Sequence, residues 1–310
     1  MFTKLLVPLD RSSLAEQAVG HASSIARACH AGVDVVLVHE VEQFSNSGDE
    51  PTWTASQLQD EEHYVRDIAN ELASGASVST THAVLRGDVV GSISTRAREV
   101  DADLIVMTSH GRTGLSRAWL GSVADGVIRH SAIPVLLLRP VKEPSPRLTP
   151  RELFHNMLLL LDGSAEALGV LEAASALARC SSAPIMLLRV VRPVPFITSD
   201  SPTAFIYPSL MPDDAATASV VDEARHQLAE VARMLAERGC ADVEQHVVVA
   251  DRVAQALLDF SRAHGADLVA MSTHGRGASR LAVGSMADKV LRASGLPVLL
   301  YRPPTASSRT

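Results

Sequence analysis

Residues 101–140, DADLIVMTSHGRTGLSRAWLGSVADGVIRHSAIPVLLLRP, return at 265–303 as GADLVAMSTHGRGASRLAVGSMADKVLRASGLPVLLYRP, with one deletion and 23 of 40 positions identical. A repeat of this length marks a tandem duplication, so any fold proposed for one copy must serve the other. The openings of the copies agree as well: KLLVPLDRSS (4–13) matches NMLLLLDGSA (156–165) and pairs Asp10 with Asp162. At about 100 to 200 residues per domain, a chain of 310 residues accommodates two domains. The expected division is a first domain over 1–140, a linker over 141–152 and a second domain over 153–304. The linker segment is rich in proline and lacks an apolar run, as an exposed boundary should.

Within each copy, short apolar runs alternate with amphipathic stretches, the pattern of βαβ units on a parallel sheet. In the first copy the pattern predicts strands near 3–9, 33–39, 78–84, 103–108 and 134–139, with helices near 12–29, 55–74, 88–100 and 121–131. In the second, strands fall near 156–161, 184–190, 243–249, 267–272 and 297–301. Ser13 and Glu16 fit a capping box at the start of the first helix. The second copy alone carries RPVPFITSDSPTAFIYPSLMPDD (192–214), whose five prolines exclude a long helix or a central strand. This insertion reads equally as a loop over its own domain and as a lid or contact surface.

Only 4% of residues are aromatic, so the core is built from aliphatic strands and alanine-rich helices. Lys and Arg total 28 against 35 Asp and Glu, a net charge of −7, and no basic patch stands out; a nucleic-acid partner is therefore not expected. The opening apolar run is interrupted by Pro8 and Asp10, and no later stretch reaches the roughly 18 apolar residues of a membrane span. The expected setting is cytoplasmic, without a membrane partner. Cys29, Cys180 and Cys240 are far apart and form no CxxC pair, which reads as three free thiols.

Open parallel sheets bind ligands beyond the carboxyl ends of the strands, where strand order reverses. Asp10 and Asp162 stand at the end of the first strand of each copy, where a carboxylate either caps the next helix or meets a ligand. After the fourth strand runs a glycine-rich loop, His110-Gly111-Arg112 to Gly121-Ser122. Free amides where Gly121 and Ser122 open a helix, with a nearby hydroxyl, form an anion site suited to phosphate, although Ser122 is equally a plain helix cap. The second copy repeats this loop at Gly275, Gly284 and Ser285. His110 and His274 recur, but one His per site without a second ligand at metal spacing reads as a backbone-bonding residue.

These residues resemble the universal stress protein family, over nearly the whole chain. The resemblance rests on Val7-Pro8-Leu9-Asp10-Arg11-Ser12, on the closing strand P-V-L-L, and on the glycine-rich loop. It implies two tandem α/β sandwich domains, Rossmann-like, each a five-stranded parallel sheet in the order 3-2-1-4-5. Nucleotide-binding members share a motif of Gly, two residues, Gly, nine residues, Gly, then Ser or Thr. Gly111, Gly121 and Ser122 fit it, while Thr108 replaces the first Gly. The second copy departs twice, with Ser272 at that position and eight residues between Gly275 and Gly284. The resemblance implies adenine nucleotide, ATP with or without Mg²⁺, as ligand. Asp10 and Val41 would meet the adenine end, and Gly111, Gly121 and Ser122 the phosphates, with Thr108, His110 and Arg112 alongside. Asp162, Gly275, Gly284 and Ser285 are their counterparts. It also implies that the two domains pair through the edge strands 134–139 and 297–302. A homodimer of whole chains is left open.

Neither a Walker P-loop nor G-x-G-x-x-G nor G-x-S-x-G occurs. The sequence thus points to a nucleotide-binding stress-response regulator or sensor, with slow ATP hydrolysis at most. The alternative is an interaction scaffold whose degenerate sites bind no nucleotide.

Overall fold

The computed structural model describes residues 1–40, 55–76, 78–110, 120–140, 151–195, 213–273 and 285–303. The first repeat runs β1 (Lys4–Leu9), α1 (Gln17–Cys29), β2 (Gly32–Glu40), α2 (Ala55–Ala76), β3 (Thr80–Gly87), α3 (Val89–Glu99), β4 (Leu104–Thr108), α4 (Ser122–His130) and β5 (Val135–Leu138). The second runs β6 (Met157–Leu160), a short 3-10 helix (Glu166–Val170), α5 (Leu171–Ser181), β7 (Ile185–Val191), α6 (Asp214–Glu237), β8 (Val243–Val249), α7 (Val253–Ala263), β9 (Leu268–Ser272), α8 (Ser285–Ala293) and β10 (Val298–Tyr301). Most of the insertion at 192–214 and of the linker lies outside the described residues. The ends of the insertion are tied together, Asp213 N donating to Val194 O at 2.8 Å, and Asp213 then caps α6 by accepting from Ala216 N at 2.9 Å.

Among the described residues the strands form one sheet in the order β3-β2-β1-β4-β5-β10-β9-β6-β7-β8. Each repeat thus has the expected 3-2-1-4-5 order, with parallel pairing inside it. The repeats meet edge to edge. β5 and β10 pair antiparallel, Leu137 opposite Val298, Leu136 opposite Leu299 and Val135 opposite Leu300. All six side chains are at most 2% exposed, so an edge that would otherwise invite aggregation is closed within the chain.

Because strand side chains alternate faces, two aliphatic cores run across both repeats. One, under α1, α2, α5 and α6, joins Leu5, Val7, Leu37 and Ile68 to Leu159, Leu187 and Leu228. The other, under α3, α4, α7 and α8, joins Leu6, Val36, Ile105 and Leu137 to Leu158, Leu257 and Leu300. Burying one such leucine or valine side chain contributes about 1.5 to 3 kcal/mol. The small residues of α1 and α5 let these two helices approach across the pseudo-twofold axis.

There Cys29, the last residue of α1, is bonded to Cys180, near the end of α5, with their Cα atoms 5.3 Å apart. This corrects the expectation of three free thiols: a pairing across 151 residues of sequence depends on how the repeats pack, which no spacing rule reports. Cys240 is a buried free thiol, as expected.

A second correction concerns the first helix. α1 begins at Gln17, and its preceding residue Glu16 makes no side-chain capping bond, so Ser13 and Glu16 form no capping box. Ser12 instead closes the turn that precedes the helix, its Oγ accepting from Ala15 N at 3.1 Å, while Glu16 accepts a hydrogen bond from the Tyr64 hydroxyl at 2.9 Å.

Candidate functional site

The cleft of the first repeat lies beyond the carboxyl ends of β1 and β4, between which the strand order reverses. It encloses about 270 Å³. Its polar residues are Asp10, Glu40, Thr108, Ser109, His110 and Ser122, and its apolar wall includes Val38, Val89, Ile93, Met107 and Ala124.

Each polar group is placed by local backbone chemistry. Asp10 leaves β1 into a tight turn. Its Oδ1 accepts from Ser12 N at 3.0 Å and Ser12 Oγ at 2.6 Å, and Arg11 takes the left-handed conformation at φ 68°. The second repeat copies the turn, Asp162 Oδ1 accepting from Ser164 N at 2.9 Å and Oγ at 2.5 Å, with Gly163 at φ 78°. The aspartate therefore holds this turn and does not cap α1, which begins at Gln17, and it still lines the cleft in the first repeat.

At the other wall, β4 ends at Thr108, whose Oγ1 donates to His110 O at 2.8 Å and is thereby committed to the loop backbone. Ser109 N donates to Leu138 O at 2.8 Å, which carries the strand pairing one residue past β4. Buried beside it, His110 Nδ1 lies 3.1 Å from Ser109 Oγ. Gly121 N donates to Ser109 O at 2.8 Å, and a Cβ on Gly121 would stand 3.0 Å from that same oxygen. Gly121 thus eases the close approach of α4 to the end of β4. Ser122 opens α4, whose first-turn amides have no intrahelical acceptor and face the cleft end of the helix dipole.

Asp10, Thr108, His110, Gly121 and Ser122 therefore come together around one cleft. Val41, Gly111, Arg112, Gly275 and Gly284 lie outside the described residues. In the second repeat, Asp162 is exposed at the end of its turn and Ser285 is the first residue of α8. Ser272 Oγ donates to Ala167 O at 3.3 Å, so the residue in place of the motif's first Gly binds the 3-10 helix of its own repeat. Sequence reasoning gave Ser12 and Ser109 no role at the site. Both had a signal, since Asp-x-Ser recurs at 162–164, and the hydroxyl before His110 recurs as Thr273 before His274.

Among the described residues no group of three or more His, Cys, Asp or Glu is placed to hold a metal ion, and no helix is long and apolar enough to cross a membrane.

A doubly wound α/β sheet, duplicated and carrying a cleft at its strand crossover, defines a tandem protein of the Rossmann-like class. The universal stress protein family model matches residues 1–139 and 153–302, and the chain belongs to that family. A universal stress protein of Methanocaldococcus jannaschii is 32% identical over 145 residues, covering 46% of this chain and 85% of its own length. A putative universal stress protein of Staphylococcus aureus is 26% identical over 149 residues, 46% of this chain and 88% of its own. Over both repeats, the crystal structure of a universal stress protein from Archaeoglobus fulgidus aligns with a TM-score of 0.68. It covers 96% of this chain and 98% of its own at 18% identity. A putative universal stress protein from Pseudomonas aeruginosa gives 0.64 over 97% and 94% at 19% identity. At these identities the two structures speak for the fold.

Proposed function

We propose that this tandem universal stress protein is a cytoplasmic stress-response regulator that binds adenine nucleotide, ATP foremost, in the first repeat. The division into domains over 1–140 and 153–304 with a linker at 141–152 belongs to the same reading. The observation that carries it is the convergence of Asp10, Thr108, Gly121 and Ser122 on one cleft at the strand crossover. The turn at Asp10 and the end of β2 would receive the base and ribose. The first amides of α4 and the Ser122 hydroxyl would hold phosphate oxygens, which a helix N-terminus favours electrostatically. Gly111 and Arg112 are assigned to the phosphates on the family motif, and Val41 to the base. Asp162, Gly275, Gly284 and Ser285 are assigned to a second, shortened site.

Mg²⁺ would enter with the nucleotide, held by its phosphates, and would neutralise phosphate charge. The chain's own residues bind and orient; none is assigned a catalytic role. Signalling would follow from differential affinity: bound phosphates favour the conformation in which the segment from Thr108 to Ser122 is braced, and that conformation changes partner contacts.

Calorimetry with ATP and Mg²⁺ tests this against two variants. Ser122→Glu places an acid where a helix N-terminus tolerates it but where it repels phosphate. Val89→Trp fills the apolar wall of the cleft. Binding by the parent protein that weakens roughly tenfold or more in both variants supports the reading. No binding by the folded parent protein overturns it and leaves the scaffold alternative, which the committed Thr108 hydroxyl and the Ser272 to Ala167 bond favour.

A further inference from the structure

The two repeats carry opposite charges at one corresponding position. Leu5 pairs with Val33 in the first repeat, and its match Met157 pairs with Ile185 in the second, so strand register aligns Val33 with Ile185. Counting on along each chain, Glu40 at the end of β2 matches Arg192, the residue after β7. Both side chains are exposed, and among the described residues neither has a hydrogen-bond or ion-pair partner.

Glu40 lines the cleft of the first repeat. Side chains alternate along a strand, and Val36, Val38 and Glu40 share the face of β2 that packs under α3 and α4. Leu6, Pro8 and Asp10 share that face of the sheet on β1. The strand order puts β2 and β4 on either side of β1. Adjacent strands lie about 5 Å apart, so the ends of β2 and β4 stand roughly 10 Å from one another.

The cleft is therefore bipolar. At the β4 end, the opening amides of α4 and the Ser122 hydroxyl present donors at the positive end of a helix dipole. At the β2 end, Glu40 presents a carboxylate, which when ionised only accepts. Between them run the apolar side chains of Val38, Val89, Ile93 and Met107. A ligand that satisfies both ends carries an anion at one and hydrogen-bond donors at the other. In a nucleotide these are the 5′-phosphates and the ribose 2′- and 3′-hydroxyls. Doubly wound sheets that bind nucleotides set an acidic side chain against a ribose hydroxyl and an arginine against a ribose phosphate.

We propose that Glu40 is a specificity-determining residue of this cleft, selecting nucleotides whose ribose hydroxyls are free and rejecting those phosphorylated there. The inference rests on the nucleotide reading above and adds to it the part of the ligand that is discriminated. A carboxylate accepts from a hydroxyl and repels a phosphate at the same place. Arg192 reverses that chemistry in the second repeat, since a guanidinium pairs with a ribose phosphate through two parallel N–H bonds.

Titrations of the full chain, followed at the amides of Asp10 and Ser122 so that the first cleft is read by itself, test the assignment. The ligands are ATP and 2′-deoxyATP at constant Mg²⁺, then AMP and adenosine 2′,5′-bisphosphate. The variants are Glu40→Ala and Glu40→Arg, which change an exposed side chain and whose folding is checked by thermal melting. The parent protein should bind ATP roughly tenfold or more tightly than 2′-deoxyATP, the effect of losing a hydrogen bond to a charged group. Glu40→Ala should bind the two nearly equally. The bisphosphate should bind more weakly than AMP to the parent protein and more tightly than AMP to Glu40→Arg. Three outcomes would overturn the assignment while leaving nucleotide binding in place: ATP bound no better than 2′-deoxyATP, a ribose preference that survives in Glu40→Ala, or a bisphosphate bound by the parent protein as tightly as AMP. No nucleotide binding by the folded parent protein overturns both this assignment and the reading beneath it.

Discussion

Arg96 grips Asp34 through both carboxylate oxygens, Nε to Oδ2 at 2.8 Å and Nη2 to Oδ1 at 3.2 Å, and Asp34 has no exposed surface. Thr81 Oγ1 adds a third bond to Asp34 at 2.5 Å. At the matching positions of β7 and α7 the second repeat has Met186, in the core under α7 and α8, and Phe260, partly buried against that core. The chain thus solves one packing problem twice, once with an ion pair and once with apolar contacts. Removing one partner of a buried pair leaves an uncompensated charge, and Arg96→Ala, which strands the fully buried Asp34 carboxylate, should cost about 3 to 5 kcal/mol. The double replacement Asp34→Met with Arg96→Phe should cost no more than about 1 kcal/mol or stabilise the fold. Urea unfolding of the three proteins measures this, and equal losses in the single and double variants would contradict it.

The Cys29–Cys180 bond crosses the pseudo-twofold axis and closes a loop of 151 residues. By loop-closure entropy a link of that span contributes up to roughly 5 kcal/mol. Cys29→Ser should therefore lower the unfolding temperature under non-reducing conditions and abolish its dependence on added thiol reductant. Burial pushes the Cys240 thiol pKa up, so this group stays protonated and unreactive near neutral pH. Alkylation should label no cysteine in the native protein, one after unfolding, and all three after unfolding with reduction. Labelling of two or three in unreduced protein would show that the bridge is not formed.

Gly121 tests how α4 is seated. Its backbone angles, φ −65° and ψ 150°, suit any residue, so only the 3.0 Å approach of a Cβ to Ser109 O opposes substitution. Gly121→Ala should destabilise by about 1 to 2 kcal/mol and move the end of β4 relative to α4. Amide shifts at Ser109 and Ser122 report that movement. A variant as stable as the parent, with unmoved shifts, would mean that the contact relaxes freely.

His21, on α1, carries a pKa held below its ordinary 6.5, first by burial, with Arg151 acting in the same sense and a bond to Gln17 O opposing. Between the lowered folded value and 6.5 the unfolded chain binds more protons than the folded one. This contribution to stability is complete above pH 6.5 and declines as pH falls below it. The unfolding temperature should thus fall between about pH 7.5 and about pH 5, and less steeply in His21→Gln. Parallel slopes would remove His21 as the cause.

Strands and helices were legible wherever period and breakers agreed. β7, β8 and β9 fall within a residue of expectation because their apolar runs end at turn residues. β3 begins at Thr80 and runs on to Gly87, later than expected, because its half-buried pattern carries little contrast between faces. The start of α1 was misplaced because Asp10 and Ser12 use the intervening residues for a turn, a choice that four neighbouring hydroxyl and carboxyl groups leave locally degenerate. Of the candidate site, the strand-end aspartates and the glycine-serine opening of α4 were readable because their chemistry is local.

What the sequence by itself determined is the duplication, the alternation of strand and helix, and the apolar edge strands, since each is written in short-range pattern. The tertiary structure alone decided that Cys29 meets Cys180, that Arg96 reaches Asp34, and that Glu40 shares a cleft with Asp10 and Ser122. Those relations join residues far apart in the chain, and their geometry exists only once helices have packed on a twisted sheet and the two repeats have met across β5 and β10.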